Sequence, residues 1–246
     1  MPHGEVLEPD EIYWLGTASF TIPGNLPVGE HSVEATFTPI VSSEPVVQSQ
    51  TFTVLTAPSS TALAVSASSW TYGGVRPTAT ATVTSTVAGR VEFRLAGKSI
   101  GAVPVVGGKA SVRLPARNVG TYELVATYMP TVAGAAHSSS AKRTVKVTKA
   151  SASAKIKAKK SKVKAGKKFS VTVSVKVKGV ARPTGKLAIY DGKKRIKTVS
   201  LKSSHQGKRT VKIALKKKGT HKLKVRYLGS KNIKADSSSR IKVRVR

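Results

Sequence analysis

The residue types that most often carry catalysis are scarce in this 246-residue chain and lie far apart. There is no cysteine, which excludes disulfides, thiolate metal sites and thiol nucleophiles. The histidines fall in separate segments without the short spacings of metal ligands: His3, His31, His137, His205 and His221. From residue 58 onward the carboxylates are too far apart in sequence to suggest a paired general acid and base: Glu92, Glu123, Asp191 and Asp236. These patterns predict no catalytic, cofactor or metal site.

One short run fits a hydrolase motif. Gly97-Lys98-Ser99-Ile100-Gly101 matches Gly-x-Ser-x-Gly, in which the serine occupies a strained strand-to-helix turn. No helical pattern follows it, and its position matches a hairpin turn expected at Asp191-Gly192 in a later, similar segment. We therefore interpret the match as fortuitous and expect that the protein is not an enzyme.

Charge is the strongest compositional signal. The chain has 43 Lys and Arg against 11 Asp and Glu, a net charge of +32. Residues 1–57 have seven acidic and no basic side chains, residues 58–149 have a net charge of +9, and residues 150–246 have 32 basic and two acidic side chains. Summed charge of this size attracts anions even without a shaped site. The alternative is a soluble, lysine-coated surface whose lysines only protect strand edges.

Candidate anion contacts come from three places in the basic region. Residues 155–168 hold eight lysines in 14 positions, a second cluster stands at 216–218, and further basic residues occupy outward positions of alternating strands. The candidates for polyanion contact are Lys155, Lys157, Lys159, Lys160, Lys216, Lys217, Lys218, Lys222, Lys224, Arg226, Lys242 and Arg244.

The elements that would position these side chains are strands in a repeated pattern. A nine-residue segment starts at Gly29, Gly120 and Gly219, and an aromatic residue ends each copy. Apolar and polar residues alternate, as at Phe169, Val171 and the valines that follow, which predicts strands with one inner face. No long window has helical spacing, so we expect essentially no helix. About seven short strands in each 90 to 100 residues is typical of an immunoglobulin-like sandwich.

Three short runs of the last repeat also resemble a known family. They are Arg182-Pro183-Thr184-Gly185-Lys186-Leu187-Ala188-Ile189-Tyr190-Asp191-Gly192, then Gly219-Thr220-His221 opening a strand, and Tyr227-Leu228-Gly229-Ser230 ending it. In this order they resemble the bacterial Ig-like domain repeats, which stand in tandem in secreted and surface proteins. The resemblance implies an immunoglobulin-like fold, an extracellular or cell-surface location and no catalytic residues.

We therefore predict an all-β chain of tandem immunoglobulin-like β-sandwiches. Residues 1–57 would form a partial, acidic copy with only the C-terminal half of the pattern, 58–149 a full domain and 150–246 a strongly basic domain. The partial copy has predicted strands at 17–22, 31–37 and 50–55, whose inner face lacks an opposite sheet. Either upstream domains of a longer chain are missing, or residues 1–15 cover this face.

The expected function is that of a non-catalytic spacer in a secreted or cell-surface bacterial protein. Its basic last domain would associate electrostatically with anionic cell-envelope polymers such as teichoic acids. One alternative is an adhesin-type module that binds a host glycan or protein. Another is a nonspecific nucleic-acid binder, which is disfavoured because the last domain has few aromatics for base stacking and no groove-reading helix. No apolar run is long enough to span a membrane, and residues 1–5 do not start a signal peptide.

Overall fold

The computed structural model of the chain describes residues 16–24, 26–40, 44–131 and 135–246. The chain divides into two units, Met1–Leu55 and Thr56–Arg246. In the described residues the regular structure is β-strand apart from one 3-10 turn, Ser203–His205. The all-β prediction is confirmed. The suggestion that residues 1–15 cover an open face lies outside the described residues, and the domain limits 1–57, 58–149 and 150–246 stay predictions.

In the first unit, β1 (Gly29–Phe37) and β2 (Val46–Val54) form an antiparallel two-stranded sheet. The strand predicted at 17–22 is wrong, since this segment is irregular. In the later repeats the corresponding strands, Lys109–Arg113 and Lys208–Ala214, each form hydrogen bonds with an adjacent antiparallel strand. The described residues of the first unit contain no strand equivalent to that partner. Alternation alone does not make a strand when its backbone groups have no partner.

The second unit begins with a sandwich of two sheets. One sheet has the order β3-β5-β8, and the other has the order β4-β11-β9-β6-β7 with β10 added beside β9. The strands are β3 (Ser60–Val65), β4 (Ser69–Thr71), β5 (Thr78–Thr84), β6 (Gly89–Leu95), β7 (Lys98–Pro104), β8 (Lys109–Arg113), β9 (Gly120–Pro130), β10 (Ser138–Ser139) and β11 (Arg143–Thr148).

A second sandwich repeats this topology. Its sheets have the orders β12-β14-β17 and β13-β20-β18-β15-β16, with β19 beside β18. The strands are β12 (Ala152–Ala158), β13 (Lys162–Val163), β14 (Lys168–Val177), β15 (Gly185–Asp191), β16 (Lys194–Leu201), β17 (Lys208–Ala214), β18 (Gly219–Tyr227), β19 (Asp236–Ser237) and β20 (Ile241–Val245).

The sequence repeat is also a repeat of strand register. Gly29 lies opposite Val54 in the first unit, and the equivalent Gly120 and Gly219 lie opposite Val147 and Val245. The hairpin β1-β2 therefore corresponds to the pairs β9-β11 and β18-β20. The described residues of the Met1–Leu55 unit thus include one antiparallel pair with the register of those two pairs.

Both sandwich cores are built from the inward residues of the alternating strands. The aromatic residues that end β9 and β18, Tyr128 and Tyr227, are both 0% exposed. Each hydroxyl donates to a backbone carbonyl at 2.6 Å, that of Val87 just before β6 or that of Thr184 just before β15. The equivalent Phe37 in β1 is 66% exposed. The aromatic side chain at this position is therefore buried in the two sandwiches and exposed in the two-stranded sheet.

Side-chain hydrogen bonds and a close backbone approach join the two sandwiches. The Val119 amide donates to Asn232 Oδ1 at 2.9 Å, and Asn232 Nδ2 donates to Asn118 Oδ1 at 2.8 Å. Gly73 and Gly179, at φ of +75° and +73°, face each other so closely that a Cβ on Gly73 would lie 2.7 Å from the Gly179 oxygen. Glycine is needed at both positions, for the positive φ and for the contact.

Candidate polyanion-binding surface

The basic residues singled out from the sequence lie in three regions of the second sandwich. Lys155 and Lys157 are exposed on the outer face of β12. The outer face of the six-stranded sheet carries five more, Lys222, Lys224 and Arg226 on β18 and Lys242 and Arg244 on β20. The remaining five lie in the loops after β12 and β17: Lys159, Lys160, Lys216, Lys217 and Lys218. The sandwich therefore does not gather all twelve candidates on one surface.

The register of the six-stranded sheet places like charges beside each other. Lys222 lies directly opposite Lys242, and Lys162 lies opposite Arg244. Cross-strand pairs of like charge destabilise a sheet in the absence of a counter-charge. One candidate already makes a cation–π contact, because the Lys224 ammonium lies 5.6 Å from the centre of the Tyr190 ring. An anion over this face would relieve the repulsion.

One end of the second sandwich concentrates basic side chains around a cavity of about 420 Å³. We name this group the lysine pole, and its members are Lys160, Lys162, Lys164, Lys167, Lys168 and Arg246. Two backbone hydrogen bonds hold the loop between β13 and β14 in place. The Ala165 amide donates to the Arg246 carbonyl and the Gly166 amide to the Leu215 carbonyl, both at 2.9 Å. The second of these bonds brings the start of the 215–218 loop to the same end of the sandwich.

Of the lysine pole, only Lys160 was among the twelve candidates. The density of lysine in 155–168 identified the run, but the candidates taken from it ended at Lys160 and omitted Lys162, Lys164, Lys167 and Lys168. Arg246 is distant in sequence and reaches the pole because β13 pairs in parallel with β20. The first sandwich pairs β4 with β11 in the same way, so the repeat alignment could have placed Arg246 there.

Both carboxylates of residues 150–246 have structural partners. Asp236 accepts a hydrogen bond from the Ala154 amide at 2.7 Å, and Asp191 contacts His221 at 2.5 Å. Within the part of the chain that the structure describes, no ion pair joins a carboxylate to any Lys or Arg of this segment. With 32 basic and two acidic side chains, the segment keeps a large positive charge that no ion pair to Lys or Arg offsets.

His221 is held at both ring nitrogens. Its Nδ1 donates to Asp191, and its Nε2 lies 2.8 Å from the Lys217 carbonyl. Donation at both positions requires the protonated ring. The hydrogen bond to Asp191 raises the pKa of His221 above its usual value, and partial burial opposes that rise. With both nitrogens engaged, the pair fixes the 217–221 turn and leaves no nitrogen free to act as a base.

The structure gives no support to the chemical motifs considered from sequence. Ser99 lies on β7 opposite Arg94, and Ala96 and Gly97 form the turn of an antiparallel hairpin, so no strand-to-helix turn is present. The described residues contain no group of three His, Asp or Glu side chains that could hold a metal ion. Nor do they include a helix long and apolar enough to cross a membrane.

The strand order of the two sandwiches defines a class: tandem immunoglobulin-like sandwich domains. The sequence model of the bacterial Ig-like domain (group 3) family matches residues 63–148 and again 156–246. The chain belongs to this family. The resemblance noted from sequence is confirmed, and domains of this family are generally non-catalytic and typical of surface or extracellular proteins. A comparison with curated proteins finds no match.

Several solved structures are similar to parts of the chain. The fibronectin(III)-like modules of Clostridium thermocellum CbhA are 16% identical, with 75% of this chain and 94% of that chain covered and a TM-score of 0.31. The Yersinia pseudotuberculosis adhesin InvE is 15% identical, with 75% and 58% covered and a TM-score of 0.40. The D0-D1 domain of intimin is 20% identical, with 74% and 96% covered and a TM-score of 0.28. Similarity at this level carries no information about function.

Proposed function

We propose that the chain is a non-catalytic structural module of a secreted or cell-surface bacterial protein, and that its second sandwich binds anionic polymers of the cell envelope. The observation that carries the proposal is the lysine pole together with the basic sheet face, neither of which is neutralised by a carboxylate. Family membership supports the structural role and the extracellular setting.

The identity of the basic residues favours a flexible polymer over a single shaped ligand. Of the 32 basic side chains in 150–246, 25 are lysine. A lysine ammonium is a compact, strongly hydrated charge on a flexible stem and lacks the planar fork with which arginine selects an oxyanion. Lysines spread over two sheet faces and one end make many weak contacts with a polymer such as teichoic acid, so the affinity depends on charge density more than on chemical identity.

The first experiment titrates the full chain with teichoic acid and with duplex DNA at matched charge density. We expect both to bind, and the affinity to fall by orders of magnitude between about 50 and 200 mM salt, as counterion release predicts for six to ten phosphate contacts. Tight binding that persists at high salt, or strong preference for one polymer, would contradict the proposal. The first result would indicate a shaped site, and preference for DNA would indicate a nucleic-acid binder.

A pair of matched variants locates the contact. The triple variant Lys160→Gln, Lys164→Gln, Lys167→Gln removes three charges from the lysine pole. Its control, Lys186→Gln, Lys194→Gln, Lys234→Gln, removes three exposed charges of the same sandwich that do not line the cavity. We expect the pole variant to lower the slope of log affinity against log salt by about two to three, and the control to lower it by less. Equal loss in the two variants would show that the pole is not a preferred contact.

A further inference from the structure

A second cavity, of about 760 Å³, lies between the two sandwiches of the Thr56–Arg246 unit. It is remote from the lysine pole, because β14 starts at the pole with Lys168 and ends beside this cleft with Val177. Three loops form its walls: the loop after β4, the loop before β9 and the loop after β14. Its volume lies within the range of small-molecule sites, about 300 to 1,000 Å³.

Each of these loops contributes one arginine to the cleft. They are Arg76, Arg117 and Arg182, and no Asp or Glu is among the described residues that line it. Arginine is the side chain best suited to hold a carboxylate or phosphate through paired hydrogen bonds. This composition differs from that of the lysine pole, where Arg246 is the one arginine among the lining residues that the structure describes.

Arg117 is the most informative of the three. Its Nε is buried and has no hydrogen-bond partner within the described structure. Its guanidinium lies 6.0 Å from the centre of the Tyr122 ring, which orients the group without satisfying its N–H donors. A buried donor without an acceptor is costly and uncommon in folded proteins, which marks Arg117 as a candidate binding residue. The enclosed Nε offers no surface to a ligand, so the terminal amino groups of the guanidinium would make the contact.

Aromatic rings lie beside the arginines. Tyr72 and Tyr122, both partly exposed, line the same cleft, whereas Trp70 beside them is buried in the core of the first sandwich. The Tyr122 hydroxyl donates to the Asn118 carbonyl at 2.8 Å, which fixes the ring. A bare inorganic ion would leave these rings unused. A sugar ring provides both an apolar face to pack on them and hydroxyl groups for the polar wall.

We propose that this cleft binds an acidic saccharide, with its carboxylate held by Arg76, Arg117 and Arg182 and its ring packed against the aromatic wall. The site goes beyond the proposed polymer contact, since it shares no residue with the lysine pole. The Gly73–Gly179 contact and the Asn232 hydrogen bonds to the first sandwich hold the walls at a fixed separation, so little ordering is required on binding.

The test is calorimetric titration of the full chain with three probes: trigalacturonate, the uncharged cellotriose, and inorganic phosphate. We expect saturable binding of trigalacturonate and at least tenfold weaker binding of the other two, because one lacks the anion and the other lacks the ring. No binding of trigalacturonate, or equal binding of phosphate, would overturn the proposal.

Substitutions then assign the binding to the cleft. Arg117→Gln and Arg182→Gln should each weaken trigalacturonate binding by about tenfold or more, the usual effect of losing a charge-assisted hydrogen bond. Arg182 is exposed, so its variant keeps the test valid if Arg117→Gln fails to fold. The control Arg240→Gln removes the same charge from an exposed position outside the cleft and should leave the affinity unchanged.

The triple lysine-pole variant separates this proposal from the polymer proposal. It should weaken teichoic acid binding and leave trigalacturonate affinity unchanged. A loss of trigalacturonate affinity in the pole variant or in Arg240→Gln, equal to that in Arg117→Gln, would show that the saccharide binds by net charge and would overturn the cleft assignment.

Discussion

At the scale of single residues, the third position of the repeated segment makes the same hydrogen bond in all three copies although the residue type differs. His31, Tyr122 and His221 occupy this position, and each makes a hydrogen bond with the carbonyl four residues earlier. The lengths are 2.7, 2.8 and 2.8 Å. A phenol and an imidazole are interchangeable here because the contact needs only one donor at this reach. His31 and His221 lie near the start of β1 and β18, as the strand pattern predicted.

His221 should make the stability of the second sandwich depend on pH. Its pKa is raised in the folded state, so its stabilising contribution is complete below the unfolded value of about 6.5 and is lost as the pH rises through the folded pKa. His221→Gln should lower the free energy of unfolding by about 1 to 3 kcal/mol at pH 6 and by less at pH 8.5. Urea unfolding of the two proteins at both pH values measures the difference.

The variant His221→Tyr is the control for that experiment. It copies the residue of the first sandwich, keeps a donor for the Lys217 carbonyl and removes the titrating ring. Its stability relative to His221→Gln should therefore not change between pH 6 and 8.5. A constant difference between His221 and His221→Tyr over the same range would contradict the role of the Asp191 pair.

At the scale of strands, the alternating pattern predicted which faces are buried wherever a second sheet is present. Tyr128 and Tyr227 are buried as their phase predicts, and the equivalent Phe37 is largely exposed. The alternating pattern indicates which face of a strand is apolar, but it does not indicate whether another strand or sheet is present to pair with that strand or cover that face. This is why the sandwiches could be predicted from sequence, whereas the strand predicted at 17–22 does not form.

The hairpin β1-β2 should therefore be much less protected than its counterparts. A two-stranded sheet is marginally stable in water without a further layer. In hydrogen exchange on the full chain, we expect the amides of β1 and β2 to exchange orders of magnitude faster than the equivalent amides of the pairs β9-β11 and β18-β20, since local opening of β1-β2 costs little. Equal protection in the three hairpins would mean that another part of the chain covers the open face.

At the scale of the whole chain, the two candidate sites differ in how far sequence could reveal them. The charge excess of residues 150–246 is visible in composition, and the lysine pole lies within that segment. The cleft left no sequence signal, because Arg76, Arg117 and Arg182 come from three separate loops and only the packing of the two sandwiches brings them together. No local pattern encodes a junction between folded domains.

That junction should be sensitive to a single methyl group. A Cβ on Gly179 would overlap the Gly73 carbonyl oxygen, so Gly179→Ala must force the two loops apart. We expect faster hydrogen exchange at the Val119 amide, which donates to Asn232 across the junction. The matched control is Gly192→Ala, which also has a positive φ, +56°, but has nothing within 4 Å of the added methyl. Unchanged exchange at Val119 in Gly179→Ala would show that the contact does not hold the sandwiches together.

Strand direction also decides how the chain would respond to mechanical tension. In each sandwich an early strand runs parallel to the last one, β4 beside β11 and β13 beside β20. A pull on the two chain ends loads such a ladder in shear, and its hydrogen bonds resist together. In the antiparallel hairpin, Gly29 and Val54 stand side by side at the end where the force enters. The same pull separates that ladder one pair at a time, so the hairpin should extend at low force while both sandwiches stay folded.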